Sequence, residues 1–190
     1  MLDKKYFGKI QKIYDEQDKE REDIIRKSRD IIKLSKHIIY SVHRNEMKEA
    51  LKNLILIEKE VVILKKIYIK CPEVDTGMYK MALQEYVEAV CFYDYATSGK
   101  IRTGDELKVD WESYLLGVCD LVGELMRNAV NSGIKHDNEK VNQIKTFVDD
   151  LYDELMKFDF RNSELRKKVD GIKWELKKID DMMFTIKNRK

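Results

Sequence analysis

The sequence predicts an all-α protein: an elongated bundle of about six to seven helices, built as one domain over residues 1–190. Three observations lead there. The chain has one proline, Pro72, and only eight glycines in 190 residues. It is 38% charged and 43% hydrophobic, the balance of long amphipathic helices and not of a β protein. Its apolar residues recur every three to four positions through long uninterrupted runs, as one buried helix stripe requires.

The first helix is expected from about Asp3 to His43. Ile24, Ile31, Ile38 and Val42 form its apolar stripe, flanked by Ile25, Ile32, Leu34 and Ile39. Winding this stretch at about 100° per residue gathers Arg26, Arg29, Lys33, Lys36, His37, Tyr40 and Arg44 on the opposite side. That strip is either a solvated basic face or a phosphate-contacting surface with one aromatic for stacking. A helix of this length spans roughly 60 Å, more than a compact domain of this size, so an elongated shape and an oligomer are expected.

The second helix, about Asn45–Ile69, places Leu51, Leu54, Ile57, Val61, Leu64 and Tyr68 at helical spacing. Pro72 should end it, with Asp75 or Thr76 capping the next helix, Gly77–Ala96. Thr97–Asp110 reads as a loop. Asp110 caps a fourth helix that ends at Asn131–Gly133, with Gly133 as the residue past its terminus. Asp137 caps a fifth, with Val141, Ile144, Val148, Leu151 and Leu155. A sixth follows Asn162 and repeats Leu165, Val169, Ile172, Leu176, Ile179, Met183 and Ile186 in an unbroken 4-3 seam. Trp174 and Phe184 fall off that seam, where a partner subunit is a better neighbour than water.

Net charge, 37 − 35 = +2, announces no polyanion binder by itself. Cys71, Cys91 and Cys119 form no CxxC pair and read as reduced thiols of a cytoplasmic protein. The start, MLDKKYFGKIQ, has no apolar signal core. The longest apolar patch, Leu54–Ile69, is broken by Glu58, Lys59, Glu60, Lys65 and Lys66, so no membrane span is expected. No Ser/His/Asp set, P-loop or GxGxxG motif is present.

Four acids stand out. Asp120 and Glu124 lie one turn apart among apolar and small neighbours, including Gly117 and Gly123. Like charges at i, i+4 oppose the helix by a few tenths of a kcal/mol. Glycine inside a helix costs about 1 kcal/mol relative to alanine, which suggests a close-approaching backbone or ligand. Glu85 and Glu88 form a second pair, and Glu85 shares its face with Met81, Ala89 and Phe92. Such oxygen ligands suit Mg²⁺ or Mn²⁺, which activates water at a phosphodiester; the plain alternative is four scattered surface acids. A di-iron bundle wants Glu-x-x-His pairs, and His37, His43 and His136 follow Leu34, Tyr40 and Gly133 instead.

Four long segments resemble the translin family: SRDIIKLSKHIIYSVHR (Ser28–Arg44), LQEYVEAVCF (Leu83–Phe92), YLLGVCDLVGELMRNAVNS (Tyr114–Ser132) and LRKKVDGIKWELKKI (Leu165–Ile179). They are most similar to its catalytic branch, translin-associated factor X. The resemblance implies a seven-helix-type bundle that assembles as a hollow octamer with single-stranded RNA or DNA on its inner wall. It implies a metal-dependent endoribonuclease whose catalytic and metal-holding acids are Glu85, Glu88, Asp120 and Glu124. It makes Arg29, Lys33, Lys36 and Arg44 candidates for the RNA-facing wall. The chain lacks the insertion between the third and fourth helices and the basic tail of animal factor X, which suits a compact prokaryotic or archaeal relative forming a homo-oligomer. A translin-like octamer that binds single strands without cutting them is the alternative.

Overall fold

The computed structural model describes residues 2–70, 77–161 and 163–188. Among them seven helices run in order with no strand: α1 Lys4–His43, α2 Met47–Lys70, α3 Gly77–Ser98, α4 Gly104–Leu107, α5 Trp111–Ile134, α6 Asn138–Leu155 and α7 Glu164–Asn188. Two compact units divide the chain, Met1–Tyr86 and Val87–Lys190. Cys71, Pro72, Asp75, Thr76 and the cap at Asn162 lie outside the described residues.

In the first unit, Asp3 opens α1 by accepting from the backbone N–H groups of Lys5 (3.0 Å) and Tyr6 (3.2 Å). Only the second half of this helix packs. Ile24, Ser28, Ile31, Ser35, Ile38 and Val42 are buried at 4-3 spacing, and α2 meets them with Ala50, Leu54, Ile57, Val61 and Leu64. Two serines therefore sit in a seam read as purely apolar. Their small side chains let α2 approach closely. Asn45 closes the turn between the helices at φ 60, a left-handed conformation that asparagine tolerates better than most residues. Leu51, expected in the seam, is 44% exposed, because the packed stripe begins one residue earlier at Ala50. Lys27 and Glu60 pair across α1 and α2 at 2.6 Å. Tyr68 stacks on Tyr79 at 3.8 Å, joining α2 to the start of α3.

In the second unit, α5, α6 and α7 pack pairwise on one another. Val141, Ile144, Val148 and Leu155 of α6 and Leu165, Val169, Ile172 and Ile179 of α7 are buried; Leu151, Leu176 and Met183 are half-buried. The stretch read as a loop contains a helix. Thr103 caps α4 in a reciprocal box, its hydroxyl accepting from the Glu106 N–H while the Glu106 carboxylate accepts from the Thr103 N–H. Arg102 grips Asp94 through Nε at 2.8 Å, and its carbonyl accepts from the Tyr114 hydroxyl at 3.0 Å. Asp110 caps α5 through the Ser113 N–H, as expected. The far end differs from expectation: α5 runs on to Ile134, and the left-handed residue is His136 (φ 61), not Gly133. Gly133 stays inside the last turn, its carbonyl accepting from the His136 N–H.

Candidate nucleic-acid interface and carboxylate pairs

The face of α1 opposite its buried stripe is open to solvent, because that stripe commits one side to α2 and leaves the other bare. Arg26, Arg29, Lys33, Lys36, His37, Tyr40 and Arg44 are all exposed. Arg26 is tied to Asp23 at 2.7 Å. Among the described residues, Arg29, Lys33, Lys36 and Arg44 make no ion pair. Arg29, Lys33, Lys36, His37 and Tyr40 line a cavity of about 520 Å³ together with Ile32 and Met78. Arg44 lines a neighbouring groove of about 710 Å³ between α1 and α2, which also holds Lys33, His37 and Tyr40. All four predicted binding residues thus border adjoining hollows, with one half-exposed tyrosine ring shared between them.

The acids are carried by two helices. Glu85 and Glu88 lie three positions apart on α3, both half-buried. Ala89 and Phe92 of the same face are buried, whereas Met81 is 49% exposed, so Glu85 marks the edge of an apolar stripe and not its middle. Both acids have interaction partners.

On α5, Asp120 and Glu124 are also half-buried. The Lys168 ammonium of α7 reaches Asp120 Oδ1 at 2.5 Å, each side chain about one quarter exposed. Glu124 stands 3.8 Å from Arg127. Asp120 and Lys168 line a small cavity of about 220 Å³ with Cys119, Gly123, Gly171 and Glu175. A Cβ built on Gly123 or on Gly171 would meet nothing within 4 Å. Gly123 therefore does not admit a neighbouring backbone; it leaves open space beside Asp120.

Lys168 is the partner that sequence reading missed. Its long side chain comes from forty-eight positions away, and only the register of α7 on α5 aims it at Asp120. Cys119 does not serve as a nucleophile here. Burial first, then the Asp120 charge, push its thiol up to about 12 against the opposing pull of Lys168. Burial and Asp94 likewise raise Cys91 to about 12, so both stay protonated at neutral pH.

Among the described residues, no group of three or more His, Cys, Asp or Glu side chains is placed to hold a metal ion by itself. Mg²⁺ asks for less: it usually takes one or two carboxylates and completes its shell with water and substrate phosphate oxygens. The half-buried carboxylate of Asp120 is an oxygen donor of that kind, and Lys168 already holds one of its two oxygens.

Fold and site together define an all-α protein that offers an exposed basic helix face and acidic pairs on two further helices. The chain belongs to the Translin family, whose model matches residues 19–190. It is 32% identical to an uncharacterized protein of Methanocaldococcus jannaschii over 91% of this chain and 79% of that one. It is 26% identical to the translin-associated protein X homolog of Schizosaccharomyces pombe, over 91% of this chain and 83% of the other. Among solved structures it is similar to apo-NeC3PO, with TM-score 0.89 and 28% identity over 98% of both chains. It is also similar to AfC3PO in complex with duplex RNA, with TM-score 0.84 and 26% identity over 96% of both chains. No helix among the described residues is long and apolar enough to cross a membrane.

Proposed function

We propose that this chain is a Mg²⁺- or Mn²⁺-dependent endoribonuclease that binds and cuts single-stranded RNA as a homo-octamer in the cytoplasm. Single-stranded DNA is a second ligand for the same surface. The observation that carries the reading is the half-buried Asp120 on a small open cavity, flanked by a glycine that leaves room beside it. The RNA complex of AfC3PO supports RNA as the ligand class.

The chain's own residues divide the work. Arg29, Lys33, Lys36 and Arg44 hold phosphates, and Tyr40 offers a ring on which a base stacks. Of the predicted acids, Asp120 with Glu124 one turn on would hold the metal, which would supply a Lewis acid for the scissile phosphate and lower the pKa of a water. Lys168 fixes the Asp120 carboxylate and adds positive charge where a phosphorane would gather negative charge.

Asp120→Asn is expected to abolish Mn²⁺-dependent cleavage of labelled single-stranded RNA, at least a hundredfold, while binding persists. An unchanged rate removes Asp120 from the chemistry. A second reading has its own observation. Asp120 and Glu124 each have a basic neighbour, Lys168 and Arg127, and paired acids need no metal. On that reading the protein is a non-catalytic octamer that sequesters single strands. Tight binding without any product in Mn²⁺, matching the EDTA control, selects it.

A further inference from the structure

Every residue from Leu2 to Lys19 is exposed. The first four turns of α1 thus stand clear of the protein, ahead of the point where Ile24 begins the contact with α2. They also precede the segment matched by the Translin family, which starts at Lys19. A lone helix of this length is marginal in water and needs an apolar face buried against something.

It has such a face. Tyr6, Phe7, Ile10, Ile13 and Tyr14 fall within an arc of about 120° when wound at 100° per residue. All five are between 42% and 62% exposed. A soluble chain seldom leaves five large apolar side chains uncovered on three successive turns.

The charges say what covers them. Lys4, Lys5, Lys9 and Lys12 fill the early turns; Asp15, Glu16 and Asp18 fill the later ones. One end of the segment is positive and the other negative. Two identical copies laid antiparallel oppose these ends, as a two-fold interface demands. On the helical wheel Lys5 and Glu16 share one flank of the apolar arc, and Lys4 and Asp18 share the other. A pairing centred near Ile10 and Gln11 sets Lys5 opposite Glu16 and Lys4 opposite Asp18 of the second copy, twice by symmetry. The same register brings Lys9 near Lys12 of the second copy, whereas a parallel pairing would stack every charge on its like. Gly8, on the outer face, has no neighbour that a Cβ would strike, and plays no role in the contact.

We propose that the first half of α1, Lys4 to about Lys19, is an assembly arm that pairs antiparallel with the same segment of a second copy of this chain. The proposal names a surface for the homo-oligomer advanced above and is independent of nuclease activity. It is tested on the full chain by light scattering across a dilution series, without RNA. Ile10→Asp with Ile13→Asp is expected to raise the concentration for half-dissociation at least tenfold. Lys5→Glu and Glu16→Lys are each expected to weaken association about threefold, and the double variant to restore it. Rescue in the double variant excludes a folding defect and fixes the antiparallel register. Association unchanged by the Ile10 and Ile13 substitutions overturns the arm while leaving a homo-oligomer standing through other faces. Failure of the double variant to recover overturns the antiparallel pairing. A wild-type chain that is monomeric throughout overturns both the arm and the homo-oligomer.

Discussion

Ser28 and Ser35 sit at the centre of the α1 seam with no exposure, and among the described residues neither hydroxyl has a hydrogen-bond partner. A buried hydroxyl without a partner costs roughly 1–3 kcal/mol against one left in water. Alanine keeps the volume small, removes the orphan oxygen and favours the helix. Ser35→Ala is therefore expected to stabilise the protein by about 1 kcal/mol, a rise of roughly 2–4 °C in Tm for a chain of this size. Calorimetry checks it, and a lower Tm would mean that the hydroxyl holds something. Lys168 poses the opposite case, a polar group with a charged partner. Its pair with Asp120 is neither deeply buried nor freely solvated, so its worth lies between the near-zero value of surface pairs and the larger one of interior pairs.

At the scale of single helices, the basic face of α1 is the clearest candidate for polyanion binding, since its cations form no ion pairs among the described residues beyond that of Arg26. Each phosphate contact releases counterions, so loss of one cation should lower the slope of log K against log salt by about one. Lys33→Ala and Lys36→Ala are each expected to do so in anisotropy titrations with single-stranded RNA, and Arg26→Ala much less, because Asp23 already neutralises Arg26. A full-sized effect at Arg26 would show that the ligand lies along a different line of the helix.

Most helix boundaries were legible because their signals are local. Asp3, Asp110 and Asp137 stand where their side chains can meet orphan N–H groups, and each does so. The helix α4 carried its own local signal, Thr103 three residues before Glu106, but its four residues are too short to show an apolar period. The end of α5 misled because glycine is the usual left-handed residue, whereas here the turn places His136 in that conformation. The site was only half legible. Exposure of the basic strip follows from period alone, and so does the shared face of Asp120 and Glu124. The grip of Lys168 on Asp120 is a matter of tertiary register, which no spacing within either helix encodes.

For the molecule as a whole, both tryptophans face solvent: Trp111 is 68% exposed and Trp174 63%. Phe184 is 71% exposed on the same helix as Trp174, as its place off the seam predicted. In the proposed octamer, α7 offers these rings to a neighbouring copy. Dilution through dissociation should then shift the tryptophan emission to the red, and Trp111→Phe should preserve the shift. Emission constant across dissociation would leave Trp174 in water in the assembly as well.

Domain borders usually fall in loose linkers, but here the border between the two compact units, at Tyr86 and Val87, falls inside the continuous helix α3. Glu85 stands on one side of that border and Glu88 on the other. The chain therefore resists dissection: no cut can free either half with a tidy terminus, and fission there would separate a couple of acids that one turn of backbone now keeps in fixed phase. Recombination of halves between relatives would have to respect that helix as a single inherited piece.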